Sequence, residues 1–238
     1  MTTEKKKIVW ITGASSGIGK ALSLEFARNN IFVVGTARSM ELLNGIKKEL
    51  ADYGNNFEPH QLDITDYSAI DQFHKKIISS YQIDCLINNA GTTSFKKAAD
   101  DSISEIENII KVNLLGSIYT IKTILPGMIE KQSGTIINIL SVVTQKVFTS
   151  SSAYTASKSG LLGYTKVLRE EVRDKNIRII NVIPGATATG IWANEIINRF
   201  GDSMMDTTNI AKLVFKLYSE RNNMVVEEII LRPLKGDL

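Results

Sequence analysis

The stretch Ile8-Val-Trp-Ile-Thr-Gly-Ala-Ser-Ser-Gly-Ile-Gly-Lys20 decides how the rest of the chain is read. Residues 8–11 form the short apolar run of a buried strand. A turn with glycines at 13, 17 and 19 follows, and residues 21–27 then carry apolar side chains at helical spacing. Strand, glycine turn and helix together are the context in which a glycine pattern carries meaning. Glycine lets the backbone turn sharply and lets a ligand approach it closely. The helix start behind the turn offers free N–H groups and the positive end of a dipole. The stretch reads either as a seat for a nucleotide phosphate or as a strand–helix connection that uses glycine for its turn alone.

The pattern extends outward from there. Strand candidates recur at 32–36, 57–61, 85–87, 135–140, 178–183 and 225–231, several of them β-branched apolar runs. Their lack of strict alternation predicts burial on both faces, as in a parallel sheet. Helical patterns fill the gaps, at roughly 17–29, 40–52, 66–80, 103–130, 154–175 and 207–220. This alternation predicts an α/β fold, a doubly wound, mostly parallel seven-stranded sheet with helices on both faces. No linker, repeat or low-complexity segment interrupts it, so residues 1–238 read as one domain. In such a sheet, ligands collect beyond the carboxyl ends of the strands. The segments there are the glycine turn, Thr36-Ala37-Arg38-Ser39, Asp63-Ile64-Thr65-Asp66, Asn88-Asn89-Ala90-Gly91, Ser141 and Pro184-Gly185-Ala186-Thr187-Ala188-Thr189. Small and polar residues thus gather along one edge.

Composition removes other classes. Apolar and charged fractions are those of an ordinary globular chain, enough for a normal core. The net charge is +3, and the lysines cluster only at Lys5-Lys6-Lys7, which reads as a solvated lead-in. No basic stripe predicts nucleic-acid binding. Cys85, the single cysteine, has no second cysteine for a disulfide or metal pair, and reads as a small buried hydrophobe. His60 and His74 are placed neither as metal ligands nor as catalytic bases, so surface or loop positions and no bound metal are expected. The N-terminus has no signal-peptide h-region, and no run of about 18 apolar residues predicts a membrane span. These features predict a soluble cytoplasmic protein.

Further elements complete the picture. They are Thr12-Gly13-x-x-x-Gly17-x-Gly19, Asn88-Asn89-Ala90-Gly91, Asn113, Ser141, Tyr154-x-x-x-Lys158 and Pro184-Gly185-x-x-x-Thr189. In their order and spacing the chain resembles the short-chain dehydrogenase/reductase family of classical type, over nearly its whole length. The first element is a variant of G-x-G-x-x-G and does not match it literally. The resemblance implies a Rossmann-like fold, a nicotinamide cofactor, a small carbonyl or alcohol substrate and a homodimer or homotetramer. It implies a catalytic set of Asn113, Ser141, Tyr154 and Lys158. Tyr154 would be the general acid in reduction and the base in oxidation. Lys158 would lower the tyrosine pKa and bind the nicotinamide ribose, Ser141 would orient the substrate oxygen, and Asn113 would hold a water in a proton relay. The resemblance places the cofactor on Gly13, Ser15, Ser16, Gly17, Ile18 and Gly19. It adds Arg38, Asp63 and Ile64 at the adenosine end, then Asn89, Ala90 and Gly91, then Tyr154 and Lys158, then Pro184, Gly185, Thr187 and Thr189. Asn88 is read instead as a tie between strands.

Elementary chemistry supports part of this. Tyr154 and Lys158 are four apart in a helical pattern and share one face. A free tyrosine, with a pKa near 10, is a poor base at neutral pH, and a nearby ammonium favours its phenolate. About 20 residues past the glycine turn, an acid would bond a ribose 2′-hydroxyl, whereas an arginine accommodates a 2′-phosphate. This chain has Ala37-Arg38 there and no acid, so NADP(H) is favoured over NAD(H). Residues 190–206 are expected to cover the substrate. Ile191, Trp192, Ile196, Ile197, Phe200, Met204 and Met205 there form either an apolar pocket wall or a small amphipathic helix on the core. Phe95, Val143, Thr144 and Phe148 follow strand ends and are further candidates to face the substrate.

Overall fold

A computed structural model describes residues 5–220 and 223–237. Residues 1–4, part of the stretch read for a leader, lie outside that range. The strands are β1 (Lys6–Thr12), β2 (Val33–Ala37), β3 (Phe57–Gln61), β4 (Tyr81–Asn88), β5 (Gly134–Ile139), β6 (Ile177–Pro184) and β7 (Glu228–Leu231). The helices are α1 (Gly17–Arg28), α2 (Met40–Glu49), α3 (Tyr67–Ser80), α4 (Ile103–Ile110), α5 (Gly116–Lys131), α6 (Ser152–Val172), α7 (Asn194–Phe200) and α8 (Thr207–Ser219). The seven strands form one sheet in the order β3-β2-β1-β4-β5-β6-β7, with every pairing parallel. This is the Rossmann-like, doubly wound arrangement, and its order reverses between β1 and β4.

Strand β1 shows why the apolar runs do not alternate. Val9 and Ile11 pack with Leu22 and Phe26 of α1 and Val214 of α8, while Ile8 and Trp10 pack with Ile70 and Phe73 of α3 and Ile124 of α5. Both faces of the sheet are covered, so both parities must be apolar. The one indole here still needs a partner, and Trp10 Nε1 donates to Thr36 Oγ1 at 3.0 Å.

Three strand-end asparagines lie in register across β4, β5 and β6. Asn88 Nδ2 donates to Asn138 Oδ1 at 3.1 Å, and Asn138 Nδ2 donates to Asn181 Oδ1 at 3.1 Å. Thr120 Oγ1 donates to Asn88 Oδ1 at 2.7 Å, and Thr165 Oγ1 meets the Asn181 amide at the other end. All five side chains are buried. Asn88 is therefore a strand tie, as its position suggested. Removing the middle member strands the buried Asn88 amide donor, at about 1–3 kcal/mol, and takes from Asn181 Oδ1 one of its two donors. We expect Asn138→Ala to lose about 3 kcal/mol of stability in urea unfolding; an unchanged midpoint would show that the ladder contributes nothing.

Several boundaries differ from expectation. β4 starts four residues earlier than the apolar run, because Lys6–Ile8 of β1 pairs with Tyr81–Ile83. β7 is shorter than the expected run: only Glu228–Leu231 pairs with β6, while Val225 and Val226 are exposed. His60 lies within β3 and His74 within α3, both half-buried rather than in loops; His60 Nε2 sits 2.6 Å from Glu58 Oε1. Cys85 is fully buried in β4. The helical stretch Ile103–Lys131, of mean hydropathy 1.2, has the length and composition to cross a membrane, against the expectation of no such run. In this fold its apolar residues Ile121, Ile124 and Met128 pack against the sheet, and its Asn113, Ser117 and Thr120 are buried and hydrogen-bonded.

Candidate active site

A cavity of about 980 Å³ opens along the carboxyl ends of the strands. Its floor begins at the glycine turn. Gly13 has φ +61°, and a Cβ there would stand 2.7 Å from Ala90 Cα. A Cβ on Gly19 would meet the Gly13 carbonyl oxygen at 2.1 Å. The turn is thus pressed against the loop after β4. Thr12 Oγ1 accepts from the N–H groups of Asn89 and Ala90, and Asn89 Nδ2 donates to the Thr12 and Gly13 carbonyls, all at 3.0–3.2 Å. Thr189 closes from the other side, its Cγ2 3.1 Å from where a Gly17 Cβ would be.

α1 starts at this turn with its N-terminus toward the cavity. Ser16, the N-cap, makes no side-chain cap bond, and the first turn holds no acidic residue. Free N–H groups with no internal anion favour a bound phosphate. Ser15, Ser16, Gly17 and Ile18 line the cavity. Arg38 lines it at the end of β2, exposed, and among the described residues its guanidinium has no ion pair. Asp63 also lines it. It does not cap α3; that cap is Asp66, which accepts from Ala69 N, while Asp63 Oδ1 accepts from Thr65 N and Oγ1 at 2.9 and 2.8 Å. Ile64, Asn89, Ala90 and Gly91 continue the wall, and Pro184, Gly185, Thr187 and Thr189 complete it after β6. A Gly-shaped cradle, an unspent helix start and an unpaired arginine fit a phosphorylated dinucleotide.

Ser141, Tyr154 and Lys158 line the far part of the same cavity. Ser141 follows β5, and α6 places Tyr154 and Lys158 one turn apart on one face. Ser141 hydrogen-bonds the Tyr154 hydroxyl. Lys158 Nζ donates to the Ile139 carbonyl at 2.8 Å and stands 5.8 Å from the Tyr154 ring centroid. Burial pushes the Tyr154 hydroxyl above its ordinary pKa near 10, with the Ser141 hydrogen bond working against it. This corrects the expectation of a tyrosine lowered by its neighbour: burial wins, and the lysine's proton is directed at a carbonyl. Burial also lowers Lys158, to about 8.

That shift has a consequence for stability. The folded pKa lies below the unfolded value near 10.4, so the unfolded chain binds more protons between about pH 8 and pH 10. Folding stability from this group therefore rises with pH through that window. We expect Lys158→Met to be more stable than the parent at pH 7 by about 2–3 kcal/mol, with the gap closing by pH 10. Urea midpoints at the two pH values check it; a pH-independent gap would refute it.

Asn113 and Gly19 are the two expected site residues that do not line the cavity. Asn113 is fully buried at a wide helical turn, Lys111–Leu115, that joins α4 to α5. Such turns occur often beside functional sites. Its Nδ2 donates to the Thr92 carbonyl at 2.9 Å and to Ser157 Oγ at 3.0 Å, and its Oδ1 accepts from Thr92 N at 2.8 Å. Asn113 so pins the loop after β4 to the helix residue next to Lys158.

On the substrate side the helix that forms has no buried residue. Residues 194–200 form helix α7, and Ile191, Trp192, Ile196 and Phe200 also line the cavity. Ile197, Met204 and Met205 do not. Phe95, Val143 and Phe148 reach it, and Thr144 does not. Phe95, at φ +50°, stacks on Trp192 with centroids 4.7 Å apart and planes 13° apart, and Trp192 Nε1 donates to the Thr187 carbonyl at 3.1 Å. Sequence reasoning did not find Ser157, Thr92 or this pairing of two loops, because no spacing rule links them.

The profile of the short chain dehydrogenase family matches residues 7–199, most of the chain. The chain belongs to the short-chain dehydrogenase family. It is 34% identical to a sepiapterin reductase of Chlorobaculum tepidum over 241 aligned positions, covering 98% of each protein. It is 32% identical to the 3-oxoacyl-[acyl-carrier-protein] reductase FabG of Thermotoga maritima, covering 94% of this chain and 95% of that protein. A metagenomic short-chain oxidoreductase solved in complex with NADP superposes with TM-score 0.83 at 30% identity, covering 96% of each chain. As a short-chain dehydrogenase, the protein is an oxidoreductase that acts on CH–OH or carbonyl groups of small molecules with a nicotinamide cofactor.

Proposed function

We propose that this short-chain dehydrogenase is an NADP(H)-dependent reductase of a small carbonyl compound to a secondary alcohol, working at neutral pH with Tyr154 as the proton donor. The observation that carries this reading is the Ser141–Tyr154–Lys158 group, with Lys158 buried and Ser141 and Tyr154 half-buried, on the same cavity as the glycine turn and Arg38. NADP-bound neighbours such as the metagenomic oxidoreductase support the cofactor. Bound at the cradle, the nicotinamide would supply the hydride. Gly13, Ser15, Ser16, Gly17 and Ile18 would hold the pyrophosphate on the α1 N-terminus, with Gly19 keeping the turn tight behind them. Arg38 would take a 2′-phosphate, and Asp63 and Ile64 would flank the adenine. Asn89 to Gly91 and Pro184 to Thr189 would enclose the remainder.

The protein's own groups then do the following. Ser141 orients the substrate oxygen beside the Tyr154 hydroxyl. Tyr154, protonated at neutral pH, donates its proton to that oxygen in reduction. Lys158, charged below about pH 8, favours the phenolate left behind. Asn113 positions the loop and helix around Lys158. Both hydrogens of its amide are committed, to the Thr92 carbonyl and to Ser157 Oγ, which supports this positioning role. Residues 190–206 cover the substrate. Within this reading the enzyme is a cytoplasmic homodimer or homotetramer.

A panel of ketones, aldehydes and secondary alcohols, assayed with NADPH and NADH by the absorbance of the reduced nicotinamide ring, tests the proposal. NADPH oxidation by a subset of the carbonyls is the expected result. Cofactor binding without turnover of any compound would make the protein a sensor and end this reading.

A further inference from the structure

We infer that Ser157 is a positioning residue for the proton transfer: its hydroxyl fixes the one turn of α6 from which Tyr154 and Lys158 both project. The inference rests on the oxidoreductase reading and adds to it a residue behind the cavity wall. Ser157 is fully buried and does not line the cavity. A buried hydroxyl in a helix interior is a poor choice for stability alone. Alanine is the better helix former, and an unbonded hydroxyl costs free energy when buried.

Here the hydroxyl both accepts and donates. Ser157 Oγ accepts from Asn113 Nδ2 at 3.0 Å and donates to the Tyr154 carbonyl at 2.7 Å. The amide nitrogen only donates and the carbonyl only accepts, so the single hydroxyl proton points at Tyr154. In an α-helix the same carbonyl takes the main-chain N–H of Lys158. The Ser157 hydroxyl is thus bonded to the carbonyl that links the two residues through the helix backbone. A hydroxyl bonded back onto the preceding turn competes with the helix ladder and biases the local bend.

The tips of the two side chains are held elsewhere. Ser141 hydrogen-bonds the Tyr154 hydroxyl, and Lys158 Nζ donates to the Ile139 carbonyl at 2.8 Å, so both tips meet the end of β5. Their roots are held by Ser157 and, through Asn113, by the loop after β4, where Asn113 bonds both the N–H and the carbonyl of Thr92. The quarters are close: a Cβ on Gly91 would lie 3.4 Å from Asn113 Oδ1 and 3.6 Å from Lys158 Nζ. Without the Ser157 hydroxyl, the turn is free to shift against that loop while the tips stay tied to β5. The Tyr154 hydroxyl then loses its alignment with the reacting oxygen. Such a misplacement lowers rate rather than binding, because the alignment matters only as the proton moves.

The best ketone of the panel serves as substrate for the test. In Ser157→Ala, kcat should fall at least about fivefold, while KM and the NADPH dissociation constant stay within about twofold of the parent. Ser157→Thr keeps a hydroxyl able to bond back along the helix, so it should hold kcat within about threefold of the parent. Losses should not multiply in the double variant with Asn113→Ala, since the two side chains act through one chain of hydrogen bonds. A smaller fall in kcat for Ser157→Ala overturns the inference. So does a matched rise in KM and in the dissociation constant, which would make Ser157 a packing residue alone. Ser157→Thr as slow as Ser157→Ala, or multiplied losses in the double variant, overturns it as well. Failure of the oxidoreductase reading shows separately, as a parent protein that reduces no compound of the panel.

Discussion

Tyr154→Phe should lower kcat for carbonyl reduction by about 10²–10⁴-fold while leaving the NADPH dissociation constant within about threefold of the parent. The ring that fills the site is kept, and only the hydroxyl is lost. That hydroxyl is bonded by Ser141 and held protonated by burial, so it is the group placed to give a proton to an oxygen resting on Ser141. Stopped-flow or steady-state reduction of the best ketone from the panel reads kcat, and quenching of protein fluorescence by NADPH reads binding. Residual turnover within about tenfold of the parent would remove Tyr154 from the chemistry. A matched fall in cofactor affinity would mean that the hydroxyl holds the nucleotide rather than the reacting oxygen.

The second large effect concerns the cofactor. Arg38→Asp should shift the NADPH-to-NADH ratio of kcat/KM by about 10²–10³-fold in favour of NADH. A guanidinium–phosphate contact is a forked, charge-assisted hydrogen bond, and such bonds contribute about 1.5–3 kcal/mol. The aspartate adds repulsion of the 2′-phosphate and an acceptor for a ribose 2′-hydroxyl. Arg38 is exposed, so the preference should weaken as ionic strength rises. A ratio unchanged by the substitution would show that Arg38 only packs at the end of β2.

Much of the edge along which these residues lie was legible before any fold was known. The glycine turn, Arg38, Asn89–Gly91, Ser141 and Thr189 each follow an apolar run, and a parallel sheet sends all such segments to one side. Tyr154 and Lys158 were legible as a pair because helical geometry fixes residues four apart on one face. Chemistry that depends on burial was not legible. The sequence pairs an ammonium with a phenol, and the natural expectation is a lowered tyrosine pKa. The fold buries Lys158, half-buries Tyr154 and turns the lysine toward Ile139, so desolvation moves the tyrosine up and the lysine down.

The amino-acid sequence by itself determined the alternation of strand and helix, the glycine turn and the order in which functional segments leave the sheet. Those features are local, written in periods of apolar residues and in the few residues that tolerate a tight turn. Only the tertiary structure decided which distant segments meet. It joined Phe95 to Trp192, and Asn113 to Thr92 and Ser157. Each of these pairings spans a gap that no periodicity crosses, because it is set by the register of a seven-stranded sheet and the packing of helices on its two faces. The glycine turn is a phosphate cradle in our reading because the fold presses it against Ala90 and leaves the start of α1 with its donors unspent.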